Sequence, residues 1–418
     1  MKKALHLLLL LPLLLASCSL GESETNELVI CSSLPLDGGN NTRARSMSRA
    51  IDQAIDEKNE NDGGVLLDGK PYPLRHEPMD DTDPGTHKWD TGQEARNARA
   101  AIAEHNCIAY VGTFNSGAAK IAMPILNRVQ MAMVSPANTY PGLTKPGTGI
   151  GDEPWIYSPL GPEKRNFCRV VPADDLQAPA ARYAADKFGL KHVFIFHDTE
   201  VYGKGLADIF AESAREAGME IVHQLGAGRS AKPVEVAKQI MESSDDLDLV
   251  YFGGITENRP GEVLGELRKL GYEGYFMGAD GIAEDKFLTN ANIVNDDKVY
   301  ATLVGLPLSE LPDIGKEWAQ RYEQRYQEQP DAFAAPSYEA TLVVMNAIEQ
   351  ADLSGYQGDT LLERARPAVL QAIKETEDFN GILEPWSFDE NCDTTDTTVT
   401  INKAVGGSFE FESLVKGE

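Results

Sequence analysis

The sequence predicts an α/β protein built of two doubly wound parallel-sheet lobes. Two observations carry this prediction: short apolar runs that do not alternate with polar residues, and helical stretches between them. Such runs are typical of strands buried on both faces, and the intervening helices favour parallel sheets. The runs form one series over residues 28–134 and a second over residues 193–277. We therefore expect one lobe from each series.

The elements can be predicted in chain order from these patterns. Strands are predicted at 28–31, 108–111 and 131–134 in the first series, and at 193–196, 249–252 and 275–277 in the second. Helices are predicted at about 42–59, 116–127, 202–217, 262–270 and 285–289. The Pro/Gly-rich segment that runs to about residue 162 is expected to be a long loop with an insertion.

The rest of the chain is expected to return to the lobes already begun. Its three helical stretches, at 314–327, 337–350 and 361–376, include no strong strand and cannot form a third lobe. We expect crossings near 167–172, 299–305 and 388–392. The predicted N-terminal lobe is therefore residues 28–168 plus 305–388, and the predicted C-terminal lobe is residues 169–304 plus 389–418.

The N-terminus has the pattern of a bacterial lipoprotein signal. Two lysines precede an apolar run at 4–15, and two small residues precede Cys18. The run is too short to span a bilayer as a helix. We expect residues 1–17 to be the signal peptide, Cys18 to carry the lipid, and residues 18–27 to be anchor and spacer. The alternative is an ordinary secretory signal with an incidental cysteine; either predicts an extracytoplasmic protein, and the first adds attachment to the membrane.

Composition and motifs exclude several classes of function. A formal net charge of -27 argues against nucleic acid as a partner, because a polyanion would be repelled. The chain has no GxSxG, HExxH or P-loop motif, and its seven histidines are scattered along the sequence. We therefore expect no enzyme activity and no cofactor.

The cysteines do not suggest a metal site. Cys31, Cys107, Cys168 and Cys392 form no CxxC pair and no short Cys/His pairing. Cys31 and Cys107 lie in apolar strand-like runs, which predicts that both pack in the core; their disulfide state stays open. Cys168 and Cys392 both fall at predicted crossings, and two interpretations stay open: a disulfide that restricts the hinge, or two buried thiols.

Candidate ligand residues follow the carboxyl ends of the predicted strands, where open α/β sheets bind ligands. Ser116 is expected at a helix N-cap, where it and the free N–H groups suit a carboxylate. Ala137 and Thr139 follow the next strand with backbone groups and a hydroxyl, while Tyr202 and Asp280 follow strands of the second series. Together these groups complement a zwitterion. Each also has a structural alternative as a helix cap, a turn residue or a packing residue.

Five segments resemble those of the Leu/Ile/Val-binding proteins of ABC importers, over nearly all of the chain after the signal. They are GTFNS (112–116), SPANT (135–139), HDTEVYGKG (197–205), VYFGG (250–254) and FMGADG (276–281). The resemblance implies the type I periplasmic-binding fold with three hinge crossings. It also implies roles for site residues. Those matching Ser116, Ala137 and Thr139 hold the ligand carboxylate and help with the ammonium, the residue matching Asp280 pairs with the ammonium, and Tyr202 matches a tyrosine of the closing lobe. Asn115, within the first segment, joins this candidate set.

Departures from the family pattern concern the ligand side chain. Asp280 is one methylene shorter than the usual Glu, and Ile255 replaces a second cleft tyrosine. Arg43 stands where an aromatic lid would be expected; it either reaches a carboxylate on the ligand's side chain or is a solvated arginine at a helix start. The insertion 147–162, which carries Trp155, either roofs the cleft or contacts a partner.

These features predict a lipid-anchored solute-binding protein. It would capture an amino acid or an amide-type relative by hinge closure and deliver it to an ABC permease. The alternative is a lipoprotein of the same fold that senses a ligand or regulates a cell-wall enzyme.

Overall fold

The first lobe is organised by a five-stranded parallel sheet. The computed structural model describes residues 27–37, 41–67, 69–177, 179–353 and 360–416. The sheet has the order β4-β1-β5-β6-β7, made of β1 (Leu28–Leu34), β4 (Leu74–Asp80), β5 (Ala109–Gly112), β6 (Ala132–Ser135) and β7 (Phe167–Arg169). A small hairpin of β2 (Val65–Leu67) and β3 (Lys70–Tyr72) lies beside it.

Six helices cover this sheet, three from each part of the chain. They are α1 (Thr42–Asp62), α2 (Thr91–Ala103), α3 (Ser116–Asn127), α9 (Asp313–Tyr326), α10 (Ala334–Gln350) and α11 (Thr360–Lys374). Helix α1 buries Ala44, Met47, Ile51 and Ile55, whose spacing places them on one face. The late helices share this core, since Trp318 packs in the same cluster. The chain therefore does return to the first lobe.

The second lobe contains a seven-stranded mixed sheet of order β14-β13-β12-β11-β10-β8-β9. Its strands are β8 (His192–His197), β9 (Glu220–Gly226), β10 (Leu249–Gly253), β11 (Tyr275–Gly278), β12 (Val299–Val304), β13 (Thr398–Val405) and β14 (Ser408–Lys416). Its helices are α4 (Pro179–Phe188), α5 (Val201–Glu216), α6 (Pro233–Met241), α7 (Pro260–Lys269) and α8 (Asp285–Ala291). Alternate residues of β8 enter separate cores on the two faces, Val193 in one and Phe194 in the other. The predicted α/β fold of two doubly wound lobes is confirmed.

Several elements differ from the sequence-based expectation. Residues 299–304 form strand β12 rather than a crossing, and the chain leaves the sheet at Gly305, which has a φ of 80°. The edge strands β4 and β9 and the hairpin of β13 and β14 were not predicted. Their sequences mix polar and apolar residues because each has a face or an edge outside the core. None of the described helices is both long and apolar enough to cross a bilayer.

One crossing is joined covalently to another. Cys168 and Cys392 form a disulfide with their Cα atoms 4.7 Å apart. Beside it, the fully buried Arg169 donates from Nε to Asp393 Oδ1 at 2.7 Å, and its backbone N–H bonds to the carbonyl of Cys392 at 3.1 Å. A buried charge is stable only when it is paired and hydrogen-bonded. These contacts therefore hold the two crossing segments side by side.

Cys31 and Cys107 pack in the core, as the sequence predicts. Both side chains are buried, but they form a disulfide with a Cα separation of 5.8 Å. The two residues are 76 positions apart in the sequence. They meet because β1 and β5 are neighbours in the sheet, an adjacency that the apolar pattern of each strand does not reveal.

Replacing both hinge cysteines by serine should destabilise the protein. Loss of a native disulfide typically costs about 2–5 kcal/mol, so Cys168→Ser with Cys392→Ser should lower the free energy of unfolding by that amount. The measurement is urea denaturation of the oxidised protein. The wild type in reductant, which loses the Cys31–Cys107 disulfide as well, should have a midpoint no higher than that of the variant. An unchanged midpoint in the double variant would contradict a hinge disulfide.

Candidate ligand-binding cleft

The carboxyl ends of the parallel strands of the two sheets meet at a cleft between the lobes. A cavity lies there, lined by Phe114, Asn115, Ser116, Ala137, Tyr202, Ile255, Asp280, Gly281 and Phe333. Five predicted ligand residues thus share one cavity: Asn115, Ser116, Ala137, Tyr202 and Asp280. Thr139 is not among the residues that line this cavity. Its carbonyl accepts a bond from the N–H of Asp174 at 2.8 Å.

The first-lobe wall of the cavity is the beginning of helix α3. Asn115 is the N-cap and Ser116 is the first helical residue, so the cap lies one position earlier than predicted. Ser116 is almost fully buried. The first N–H groups of a helix have no partner within the helix, and this end carries partial positive charge. The wall therefore suits a carboxylate.

The second-lobe wall carries a buried acid. Oδ1 of Asp280 accepts a bond from the Tyr202 hydroxyl at 2.6 Å and from Gln177 Nε2 at 3.1 Å. The same Nε2 donates to Asp174 Oδ1 at 3.1 Å. Burial raises the pKa of Asp280, and burial together with the charge of Asp280 raises the pKa of Asp174 well above its ordinary value. Two buried acids joined by one amide make a strong site for a cation.

Arg43 bridges the two lobes. It donates from Nη1 to the carbonyl of Asp280 at 2.8 Å and from Nη2 to that of Ala283 at 2.7 Å. Its Nε lies 3.5 Å from carboxylates of Glu284 and Asp331. The interpretation as a solvated arginine is wrong, because Arg43 is buried. As the second residue of α1, it extends across the cleft into the 280–284 loop.

A second cavity lies next to the first. It is lined by Pro35, Asn41, Arg43, Ala44, His87, Lys88, Trp89, Phe114, Asn115, Arg229, Ile255, Glu257 and Asn258. We call it the side chamber. Phe114, Asn115 and Ile255 line both cavities, so the two adjoin along these residues.

Several residues of the cleft escaped the sequence analysis. Lys88 and Trp89 follow β4, and Arg229 follows β9, the two edge strands that were not predicted. Asp174 and Gln177 follow the three-residue strand β7. Ligand residues are expected after the carboxyl ends of strands, so these five residues would have been candidates if β4, β7 and β9 had been predicted.

The insertion 147–162 lines neither cavity of the cleft. Its buried Glu153 accepts bonds from Lys120 Nζ on α3 at 2.6 Å, from the Tyr140 hydroxyl at 3.0 Å and from the Tyr157 hydroxyl at 2.5 Å. These bonds fasten the insertion to α3. Contact with a partner stays a prediction for this segment.

Three side chains near β1, those of Ser32, His76 and Asp52, are arranged in the order of a hydrolase triad. Oγ of Ser32 lies 2.8 Å from His76 Nε2, and His76 Nδ1 lies 2.7 Å from Asp52 Oδ1. Ser32 has no exposed surface, so no substrate can reach its hydroxyl. The three side chains are a packing arrangement between β1, β4 and α1. Within the described residues, no three His, Cys, Asp or Glu side chains converge as metal ligands.

A family model described as periplasmic binding protein matches residues 29–407. The chain belongs to this family. It is 26% identical over 303 residues to the Leu/Ile/Val-binding protein BraC3 of Rhizobium johnstonii, covering 72% of this chain and 73% of that protein. It is 23% identical to the leucine-, isoleucine-, valine-, threonine- and alanine-binding protein of Pseudomonas aeruginosa, covering 58% of this chain and only 59% of that protein.

Solved structures agree with this assignment at the level of the fold. The branched-chain amino-acid transporter substrate-binding protein LivJ of Streptococcus pneumoniae superimposes with a TM-score of 0.76 at 22% identity, over 94% of this chain and all of that one. Family membership confirms the resemblance identified from the sequence and places the protein outside the cytoplasm. It also makes the protein a solute-binding protein and not an enzyme.

Removing the Arg43 guanidinium should destabilise the protein more than removing a similar exposed one. Arg43→Met would leave Glu284 and Asp331 without their cation, at an expected cost of about 3–5 kcal/mol. The matched control is Arg49→Met on the same helix, whose pair with Glu328 is solvent-exposed and worth at most about 1 kcal/mol. Both are measured by urea denaturation. Equal losses in the two variants would contradict a buried bridge at Arg43.

Proposed function

We propose that this protein is a lipid-anchored, extracytoplasmic solute-binding protein that captures an amino acid, or an amide-type relative, and delivers it to an ABC permease. One observation carries the proposal: a helix N-terminus at Ser116 and a buried acid at Asp280 face one cavity from opposite lobes. This pair complements the carboxylate and the ammonium of an α-amino acid. The names of the relatives, which include Leu/Ile/Val-binding proteins, support the same class of ligand.

Hinge closure follows from where these groups lie. The carboxylate would dock first on the α3 end, and Tyr202 and Asp280 would reach the ammonium only when the second lobe closes. A ligand shifts such an equilibrium only through contacts that differ between the open and closed states. Two charge-assisted bonds supply about 3–6 kcal/mol, at about 1.5–3 kcal/mol each. A shift from 1:99 to 99:1 needs about 5.5 kcal/mol, which lies within that range.

The membrane anchor is the part of the proposal that rests on sequence alone. Cys18 lies outside the described residues, and the signal pattern before it supports lipidation. Several acyl chains on one residue hold a protein at a membrane far better than one chain does. Mass spectrometry of the processed N-terminus tests this directly. An unmodified N-terminus or cleavage elsewhere would contradict it.

Asp280→Ala should weaken amino-acid binding at least about a hundredfold, roughly 2.8 kcal/mol. The reason is that the ligand's ammonium would be buried without its carboxylate. Affinity is measured by calorimetric titration with the L-amino acid that gives the largest thermal shift of the wild type. Asp285→Ala, an exposed aspartate of the next turn, is the matched control and should bind normally. Near-normal affinity in the Asp280 variant would overturn the assignment of the ammonium site.

Affinity for a zwitterion should fall on acidification, starting at a higher pH than an ordinary aspartate would set. Burial raises the pKa of Asp280, so this carboxyl takes up its proton early and then no longer attracts an ammonium. By linkage, binding of the ammonium should release protons at low pH. Titrations from about pH 8 to about pH 5, in two buffers of different ionisation enthalpy, measure both effects. Affinity that is constant over this interval, without proton release, would contradict the expected coupling.

A further inference from the structure

The side chamber is lined by more cationic than anionic side chains, the opposite of the balance in the whole chain. The protein has a formal net charge of -27, yet the chamber is lined by Arg43, Lys88 and Arg229 against a single carboxylate, that of Glu257. Glu257 is itself paired with Lys286 at 3.1 Å. Clefts lined by one sign of charge attract ligands of the other sign.

Two of these cations retain capacity for an anion. Lys88 Nζ donates to the carbonyl of Glu257 at 3.1 Å and to Asn258 Oδ1 at 2.9 Å, which uses two of its three N–H groups. Arg229 bonds to Glu200 through Nε at 2.8 Å, which leaves the outer edge of its guanidinium. Arg43, by contrast, uses both of its Nη atoms on carbonyl groups.

Lys88 and Arg229 lie close enough for their charges to repel each other. Burial, and after it the charge of Arg229, lowers the pKa of Lys88. A carboxylate placed between the two side chains would offset this repulsion and raise the pKa of the lysine again. It would also meet the guanidinium geometry that suits carboxylates.

The boundary between the chamber and the Asp280 cavity is mostly apolar. Phe114 and Ile255 line both spaces together with Asn115, and the ring of Trp89 forms a further part of the chamber wall. This ring packs on the first turn of α3 in the space that a side chain at Gly117 would occupy: a Cβ there would lie 2.7 Å from the ring. A passage through this boundary suits methylene groups, and Asn115 is the one polar residue among the three that line both spaces.

We propose that the side chamber takes the side chain of an acidic amino acid, whose terminal carboxylate binds Lys88 and Arg229 while its α-groups occupy the Asp280 cavity. Lys88 and Arg229 are then the residues that determine specificity, and the mostly apolar passage accommodates the methylene groups. This inference rests on the proposed function. It differs from the branched-chain ligands that the names of the relatives describe.

The test compares the binding of two acidic amino acids with that of L-glutamine and L-leucine to the full mature chain. Calorimetric titrations use L-glutamate, L-2-aminoadipate, L-glutamine and L-leucine, and one of the two acids should bind at least tenfold more tightly than L-glutamine. Lys88→Met and Arg229→Met should each reduce affinity for that acid at least tenfold, and affinity for L-glutamine by less than threefold. Lys232→Met, an exposed lysine near Arg229 that does not line the chamber, is the matched control and should leave all affinities unchanged.

The outcomes separate this inference from the proposed function. Tighter binding of L-leucine or L-glutamine than of both acids would overturn the acidic ligand and leave the amino-acid receptor in place. If both variants lost equal affinity for the acid and for L-glutamine, Lys88 and Arg229 would have a structural role. That result would also overturn the acidic ligand. Binding of no amino acid at all would overturn the proposed function and this inference with it.

Discussion

The cleft depends on two buried acids that lie close enough to share one amide. Asp174 and Asp280 both accept a bond from Gln177 Nε2, and burial raises the pKa of both. Gln177 Oε1 in turn accepts a bond from Thr302 on β12. Asp174 follows one crossing between the lobes and Thr302 precedes another. The charge that a ligand's ammonium would neutralise is therefore tied directly to the segments that must bend.

Two further interactions near these acids have different consequences. Arg43 bonds to the backbone carbonyl of Asp280 and not to its carboxylate, so this guanidinium fixes the loop, while its charge lowers the pKa of Asp280 against the larger effect of burial. At the hinge, the Cys168–Cys392 disulfide and the buried ion pair of Arg169 hold two crossings together. A pivot fixed in this way favours rotation of one lobe against the other over sliding, because sliding would separate a buried charge from its partner. In the proposed closure, rotation is the motion that would bring Asp280 toward Ser116.

Most central strands could be predicted from sequence and the edge strands β4 and β9 could not, although the central strand β12 was expected to be a crossing and β13 was not predicted. Strands such as β8 and β10 are buried on both faces and read as uninterrupted apolar runs. Strand β4 runs through charged residues and Pro78, because it pairs with only one neighbour in its sheet. Strand β9, which also lies at an edge, mixes polar and apolar residues and has no fully buried position. The bounds of helix α3 agree with the predicted 116–127, although its N-cap is Asn115 and not Ser116, whereas the Cys31–Cys107 pairing required knowledge of strand order.

The difference between central and edge strands also distinguishes the residues proposed to bind the ligand's α-groups from those proposed to bind its side chain. Ser116, Ala137 and Asp280 follow central strands, whose sequences are restricted by burial on both faces. Lys88 and Arg229 follow edge strands, where polar substitutions cost little. The groups that would hold the α-carboxylate and the ammonium therefore come from the parts of the chain that identify the family, while the groups around the ligand's side chain come from parts free to vary. A resemblance carried by the central segments consequently establishes the family without establishing which side chain the chamber accepts.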